Sequence, residues 1–170
     1  MPEANQTVMG SASEAADSQL LQLVTFEVAD EEYAVEILVV QEINRMMELT
    51  RIPQSPPEVE GVINLRGRII PVIDLRKRFG LSGSERDESS RIIVVEVEGH
   101  VMGYIVDRVH EVLRIDRDIV EQAPSMVGSI DSEYIAGVGK LDDRLLILLD
   151  VGKLFDAKQI DSIEAAAAAA

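Results

Sequence analysis

The sequence predicts an all-β protein of barrel type, made of two small subdomains packed on each other, and two observations predict it. The first is a duplication. GVINLRGRIIPVIDLRKRF over 61–79 aligns without a gap on GVGKLDDRLLILLDVGKLF over 137–155, so that Gly61, Val62, Leu65, Arg68, Asp74, Lys77 and Phe79 meet Gly137, Val138, Leu141, Arg144, Asp150, Lys153 and Phe155. A weaker echo sets Tyr33-Ala34 and Val40-Gln41-Glu42-Ile43 against Met102-Gly103 and Val109-His110-Glu111-Val112. Two copies are too few for a solenoid, which leaves a pair of subdomains. The second observation is the spacing of many short β-branched runs between turn signals, which argues for closed all-β sheets over an alternating α/β sheet.

Taken in order, residues 1–18 carry no periodic apolar face and read as a mobile tail. Leu21, Leu23, Phe26 and Val28 keep a period near two, Ala29-Asp30-Glu31-Glu32 supplies a turn, and Tyr33–Ile37 returns as the second strand of a hairpin. Val39–Met46 with Thr50–Ile52 gives a further strand, ended by the prolines of Pro53-Gln54-Ser55-Pro56-Pro57, which cannot donate to a ladder. Gly61–Leu65 and Ile69–Leu75 form a hairpin about Arg66-Gly67-Arg68, where glycine takes the positive φ of a tight turn. Pro71 is then expected on a sheet edge or at a bulge. Arg76–Phe79 makes one helical turn closed by Gly80. The polar stretch Ser82–Ser90 marks the junction between a first subdomain, about 19–82, and a second, about 88–156, with exchange of strands between them allowed.

The second half replays the order. Arg91–Val97 and Val101–Val106 flank the turn Glu98-Gly99-His100, Val109–Ile115 adds a strand, and Asp116 caps a short helix to Val120. Tyr134–Leu141 and Arg144–Val151 close the copy about Asp142-Asp143. Ala157–Ala170 has high helix propensity and little to bury, so a frayed C-terminal helix or a disordered end is expected.

Composition narrows the function. A chain of 170 residues can bury roughly 70% of its unfolded surface and needs no metal or disulfide to fold. With no cysteine it has no disulfide framework, thiolate zinc site or cysteine nucleophile. Met1–Gln19 lacks the basic start and apolar run of a signal peptide, and no later segment offers the about eighteen apolar residues of a membrane span, so a soluble cytoplasmic protein is expected. A net charge of −15 disfavours nucleic acid and anionic bilayers as partners. Aromatic residues are only 4% of the chain, which leaves few platforms for stacking bases.

Enzymatic motifs are missing. His100 at a turn and His110 in a strand stand too far apart for a metal pair, no serine lies in a nucleophile elbow, and no glycine-rich phosphate loop occurs. Asp74 and Asp150 repeat because each caps the helical turn that follows its strand. No cofactor and no metal is therefore expected. A ligand-binding or hydrolytic double barrel, working in the cleft between the halves, is the alternative from another class.

EEYAVEILVVQEI over 31–43, then TRIP at Thr50–Pro53 and GVINLRGRIIPVIDLR over 61–76, resemble the CheW family of chemotaxis coupling proteins. The likeness continues through Gly103-Tyr104-Ile105-Val106-Asp107 and Val109–Val112 to Gly137-Val138-Gly139 and Arg144–Leu148, covering about 20–156. The resemblance implies two SH3-like five-stranded β-barrels around a shared core. It also implies a non-enzymatic adaptor that scaffolds signalling arrays. Its partners would be the cytoplasmic tip of a methyl-accepting chemoreceptor and the regulatory domain of the histidine kinase CheA, with the membrane reached only through receptors. Carried over by position, Val40, Glu42, Gly61, Asn64, Arg66 and Val112 are the expected receptor contacts, and Gly103, Val109 and Gly137 the expected kinase contacts. The chain departs from symmetry at one place: Asn64-Leu65-Arg66-Gly67 faces Lys140-Leu141-Asp142-Asp143 in the second copy, so only the first turn keeps the family motif.

Plainer readings stand beside these. Arg66, Arg68, Arg76, Lys77 and Arg78 either steer an acidic partner or blunt a strand edge. The edge reading suits the cluster; binding suits Arg66, whose planar fork matches a carboxylate or helix-end carbonyls. Glu42 is either the fixed partner of Arg66, contributing orientation more than affinity, or an ordinary strand carboxylate. Val40, Val109 and Val112 read as hairpin-face residues unless exposed, when they make a docking patch. Gly61, Gly103 and Gly137 read as bulges or close backbone approaches.

Overall fold

The computed structural model describes residues 19–53, 55–81, 86–122, 126–127, 130–154, 161–162 and 164–165. The expected tail over 1–18, most of 157–170, and 82–85 at the expected junction lie outside the described residues.

Three hairpins follow from two-residue turns. β1 (Leu20–Val28) and β2 (Glu31–Glu36) join through Ala29-Asp30, at φ +51° and +69°. β4 (Val59–Leu65) and β5 (Arg68–Asp74) join through Arg66-Gly67, at +55° and +82°. β6 (Arg91–Val97) and β7 (His100–Val106) join through Glu98-Gly99, at +52° and +81°. Paired left-handed residues give the turn the same sense of twist as the strands, which is why each loop is so short. The fourth hairpin, β12 (Ile135–Lys140) with β13 (Leu145–Leu149), bends through the longer Leu141–Arg144 loop. β3 (Val40–Arg45) and β8 (Arg108–Asp116) are edge strands; β9 (Val120–Glu121), β10 (Met126–Val127) and β11 (Ile130–Asp131) are two-residue pieces.

Apart from β10 and β11, which pair only with each other, these strands make two sheets on one plan, ordered β8-β1-β2-β13-β12-β9 and β3-β6-β7-β5-β4. In each, two hairpins lie side by side in parallel contact, β2 against β13 and β7 against β5, and an antiparallel edge strand completes one side. The hairpin β1–β2 of the first repeat sits with β8, β12 and β13 of the second, while β6–β7 of the second sits with β3, β4 and β5 of the first. Each sheet is therefore assembled from both repeats. Chain continuing from each edge strand laps the opposite edge: Thr50 exchanges backbone bonds with Val62 of β4, its N–H donating at 3.0 Å and its carbonyl accepting at 2.8 Å, and β9 pairs with β12.

Burial explains the apolar runs. Val24, Phe26, Tyr33 and Val35 of one sheet and Ile93, Val95, Met102 and Tyr104 of the other form a shared central core. Ile63, Ile70, Val72, Ile92 and Val94 fill the opposite face of the five-stranded sheet, and Leu21, Leu23, Ala34, Leu146 and Leu148 that of the six-stranded one. β6 is thus buried on both faces, so it reads Ile-Ile-Val-Val without alternation. Each such side chain contributes about 1.5–3 kcal/mol relative to exposure.

Local differences from the sequence reading have physical causes. Pro71 lies in β5, inside the sheet, where the expectation was an edge or bulge. It is tolerated because its partner Val62 directs its own N–H and carbonyl to Thr50, so the nitrogen of Pro71 faces β7, and the β5–β7 ladder begins one residue later at Val72. The strand expected over Tyr33–Ile37 stops at Glu36, where Ile37–Val39 forms a 3-10 turn; Thr50–Ile52 supplies a single bridge; and Arg68 already belongs to β5. The helix expected from Asp116 is the 3-10 turn Arg117–Ile119, with no side-chain cap from Asp116. The paired caps do form: Asp74 Oδ1 accepts from the N–H of Arg76 at 2.9 Å ahead of α1 (Leu75–Arg78), and Asp150 Oδ1 from that of Gly152 at 3.1 Å ahead of α2 (Val151–Leu154). Gly80, at φ +77°, closes α1 as expected.

Candidate functional site

Arg66 stands first in the β4–β5 turn in a left-handed conformation that only a supported non-glycine residue keeps. Asn64 supplies the support, its side-chain oxygen accepting from the N–H of Gly67 at 2.9 Å. From there the guanidinium crosses to β3, where Nη1 donates to Glu42 Oε2 at 2.7 Å. The other carboxylate oxygen accepts from Asn44 Nδ2 at 2.7 Å. The Asn44 amide is the largest influence on Glu42; desolvation opposes it, Arg66 adds to it, and together they hold the carboxyl below the usual carboxylate range. Glu42 is 20% exposed and Arg66 78%, so the acid is sheltered and the cation faces outward. β3 and β4 are the two outer strands of the five-stranded sheet, and this pair spans them.

Glu42 and Asn44 share one face of β3, and aliphatic side chains take the other. A bulge between Val40 and Glu42 puts two residues of β3 opposite one of β6, so Val40 and Ile43 point to the same face, opposite the core residues Val95 and Ile93. Val40 packs on the central core and Ile43 is 40% exposed. The second repeat repeats the device on β8: Val109 packs on the core beside Phe26, and Val112, opposite Val24, is 55% exposed. Ile69 and Leu145, matching residues near the starts of β5 and β13, are 47% and 56% exposed, and Leu38 on the 3-10 turn is 92% exposed. Four of these five exposed aliphatics are thus two pairs of repeat-equivalent positions. The sequence reading names Val112 but not Leu38, Ile43, Ile69 or Leu145; for Ile43 the cause is the β3 bulge, which resets which alternate residue faces the core.

The repeats differ at the ion pair. Glu111, the counterpart of Glu42, bonds Arg144 Nη2 at 3.1 Å, and Arg144 also reaches Glu32 at 2.7 Å and Asp143 at 3.2 Å. Among the described residues its cation meets three acids and that of Arg66 meets one.

The expected site residues therefore fall into separate places. Glu42, Asn64 and Arg66 come together, with Val40 beside them on β3, while Val112 and Val109 lie on the edge of the other sheet. Gly61, Gly103 and Gly137 are buried inside sheets. Gly61 and Gly137 occupy matching bulges, and a Cβ on Gly61 would lie 2.5 Å from the Thr50 carbonyl oxygen. Most of the basic cluster is engaged internally: Arg76 with Asp107 at 2.7 Å, Lys77 with Glu60, and Arg78 with the Leu154 carbonyl at 2.6 Å. Asp74 is 2% exposed and serves as a cap. His110 lies 3.4 Å from Glu27. His100 faces Glu164 at 3.4 Å and Asp161 at 3.8 Å, a grouping a cation could share, although exposed acids beside an imidazole are common without one.

A two-sheet β module that presents an outward arginine on a short turn, and elsewhere exposes aliphatic side chains on its strands, belongs to the class of protein-docking domains. The CheW-like domain family matches residues 22–159. The chain is 37% identical to the chemotaxis protein CheW of Klebsiella aerogenes over 93% of each chain. It is 35% identical to that of Treponema pallidum over 88% of this chain and 90% of the relative. The crystal structure of the scaffolding protein TtCheW from Thermoanaerobacter tengcongensis superposes with a TM-score of 0.75 at 42% identity, covering 82% of this chain and 90% of that one. The chain belongs to the CheW-like family.

Proposed function

We propose that this chain is the coupling adaptor of a bacterial chemotaxis array, holding the cytoplasmic tip of a methyl-accepting chemoreceptor and the regulatory domain of the histidine kinase CheA through separate surfaces. Family membership supports the role, and the observation that carries the receptor surface is the Arg66–Glu42 pair, 78% and 20% exposed. Val40, Glu42, Asn64 and Arg66 form its centre, with Val112 on the second sheet. Gly61 serves by letting Thr50 approach. Gly103, Val109 and Gly137 mark the kinase side, the two glycines acting through the shape of their strands. The chain performs no reaction and works in the cytoplasm, reaching the membrane through receptors; no helix among the described residues is long and apolar enough to cross it.

Two modest interfaces on one rigid body gain from effective concentration, so neither has to be strong alone. Arg66→Glu places two carboxylates together where a pair stood. In a pull-down with a receptor cytoplasmic fragment this variant is expected to lose binding while its circular dichroism melt stays near wild type. Undiminished binding would remove Arg66 from the surface.

A further inference from the structure

We propose that Asn44 is a positioning residue for the docking surface: it fixes the Glu42 carboxylate so that Arg66 is held by one nitrogen and offers its remaining N–H edge to a carboxylate on the partner. The inference rests on the adaptor reading and deepens it. A carboxylate only accepts, so the Asn44 amide must turn its nitrogen toward Glu42, and the 2.7 Å separation leaves that oxygen committed. The second oxygen, 2.7 Å from Arg66, is committed as well. With each oxygen directed to a different donor, a two-pronged grip on Arg66 would require Glu42 to turn away from the Asn44 amide. Among the described residues only Nη1 of that guanidinium is bonded, and Nε with Nη2 remains as a parallel pair of donors on a side chain that is 78% exposed. This edge suits a planar anion in bidentate geometry. The second repeat shows the contrast: there Arg144 is shared by Glu32, Glu111 and Asp143 at 2.7–3.2 Å, which leaves far less of it for a partner. The partner is therefore one presenting an aspartate or glutamate to this edge.

The test is isothermal titration of a receptor cytoplasmic-tip fragment into wild type, Asn44→Ala, Asn44→Asp and Arg66→Glu, at several pH values between 7 and 4. Asn44→Ala is expected to weaken binding about five- to tenfold at pH 7. It also moves the acid limb of binding to higher pH, because Glu42 without the amide takes up its proton sooner; a purely structural role would leave that limb in place. Asn44→Asp keeps the shape and sets two carboxylates in contact, so its binding is weakest at pH 7 and recovers as the pH falls and the pair shares a proton. If Arg66→Glu loses binding while both Asn44 variants keep the affinity and pH profile of wild type, the positioning role is overturned and the adaptor reading stands. If Arg66→Glu binds normally, the docking surface itself is wrong and this role falls with it.

Discussion

Gly61 shows how a single residue can look functional while acting through the backbone. Its φ of +154° and the Thr50 carbonyl 2.5 Å from a would-be Cβ leave no room for a side chain, and a carbonyl in a paired bridge cannot step aside. Gly61→Ala is expected to destabilise the protein by about 2 kcal/mol or more. Gly137→Ala should cost less, because the nearest obstacle is a methyl of Val120 and φ is not in the left-handed region. Urea unfolding of the two variants measures the difference; equal losses would mean the Thr50 contact does not decide the matter. At this scale the sequence was informative wherever chemistry was tied to a motif. The family motif singles out Arg66 and Glu42, and their pairing is one of the two readings the sequence leaves for Glu42. Asn44 could not be found in this way, since an asparagine in a strand gives no sign of which neighbour its amide will meet.

Among elements, the two sheets are tied by Asp107, in the chain between β7 and β8. Its carboxylate accepts from the N–H of Ala29 at 2.9 Å in the β1–β2 turn and from Arg76 Nε and Nη2 at 3.0 and 2.7 Å in α1, joining one hairpin to the helical turn of the other sheet. Burial alone would raise its pKa, but Arg76 and the Ala29 N–H outweigh burial and hold it below the ordinary range. Asp107→Ala is expected to cost roughly 1–3 kcal/mol, leaving a half-buried guanidinium unmatched. A carboxyl depressed in the folded state stabilises fully above its unfolded value, about 3.9, and that contribution is lost as pH falls through the lower native value. Melting temperature against pH should therefore fall less steeply below pH 4 for Asp107→Asn than for wild type, and identical slopes would exclude the tie. Hairpins were the legible elements, because two-residue turns and β-branched runs are local signals. Bulges and 3-10 turns were not, since they depend on how a partner strand is registered.

For the molecule as a whole, the pairing of β2 with β13 and of β7 with β5 joins residues distant in sequence, and local patterning does not reveal such contacts. The duplication predicted two like units; it did not reveal that each sheet borrows a hairpin from the other repeat. Separately produced fragments 19–82 and 88–156 are consequently expected to be unfolded alone and to regain the β spectrum on mixing, while the intact chain melts in one transition. A fragment that folds by itself would show that the exchange is not required. The borrowed hairpins also bear on symmetry. A single repeat encoded once would build this same architecture as a swapped homodimer with two identical faces. In one chain the two faces are free to differ, and they do: the first turn carries Asn-Leu-Arg-Gly and the second Lys-Leu-Asp-Asp.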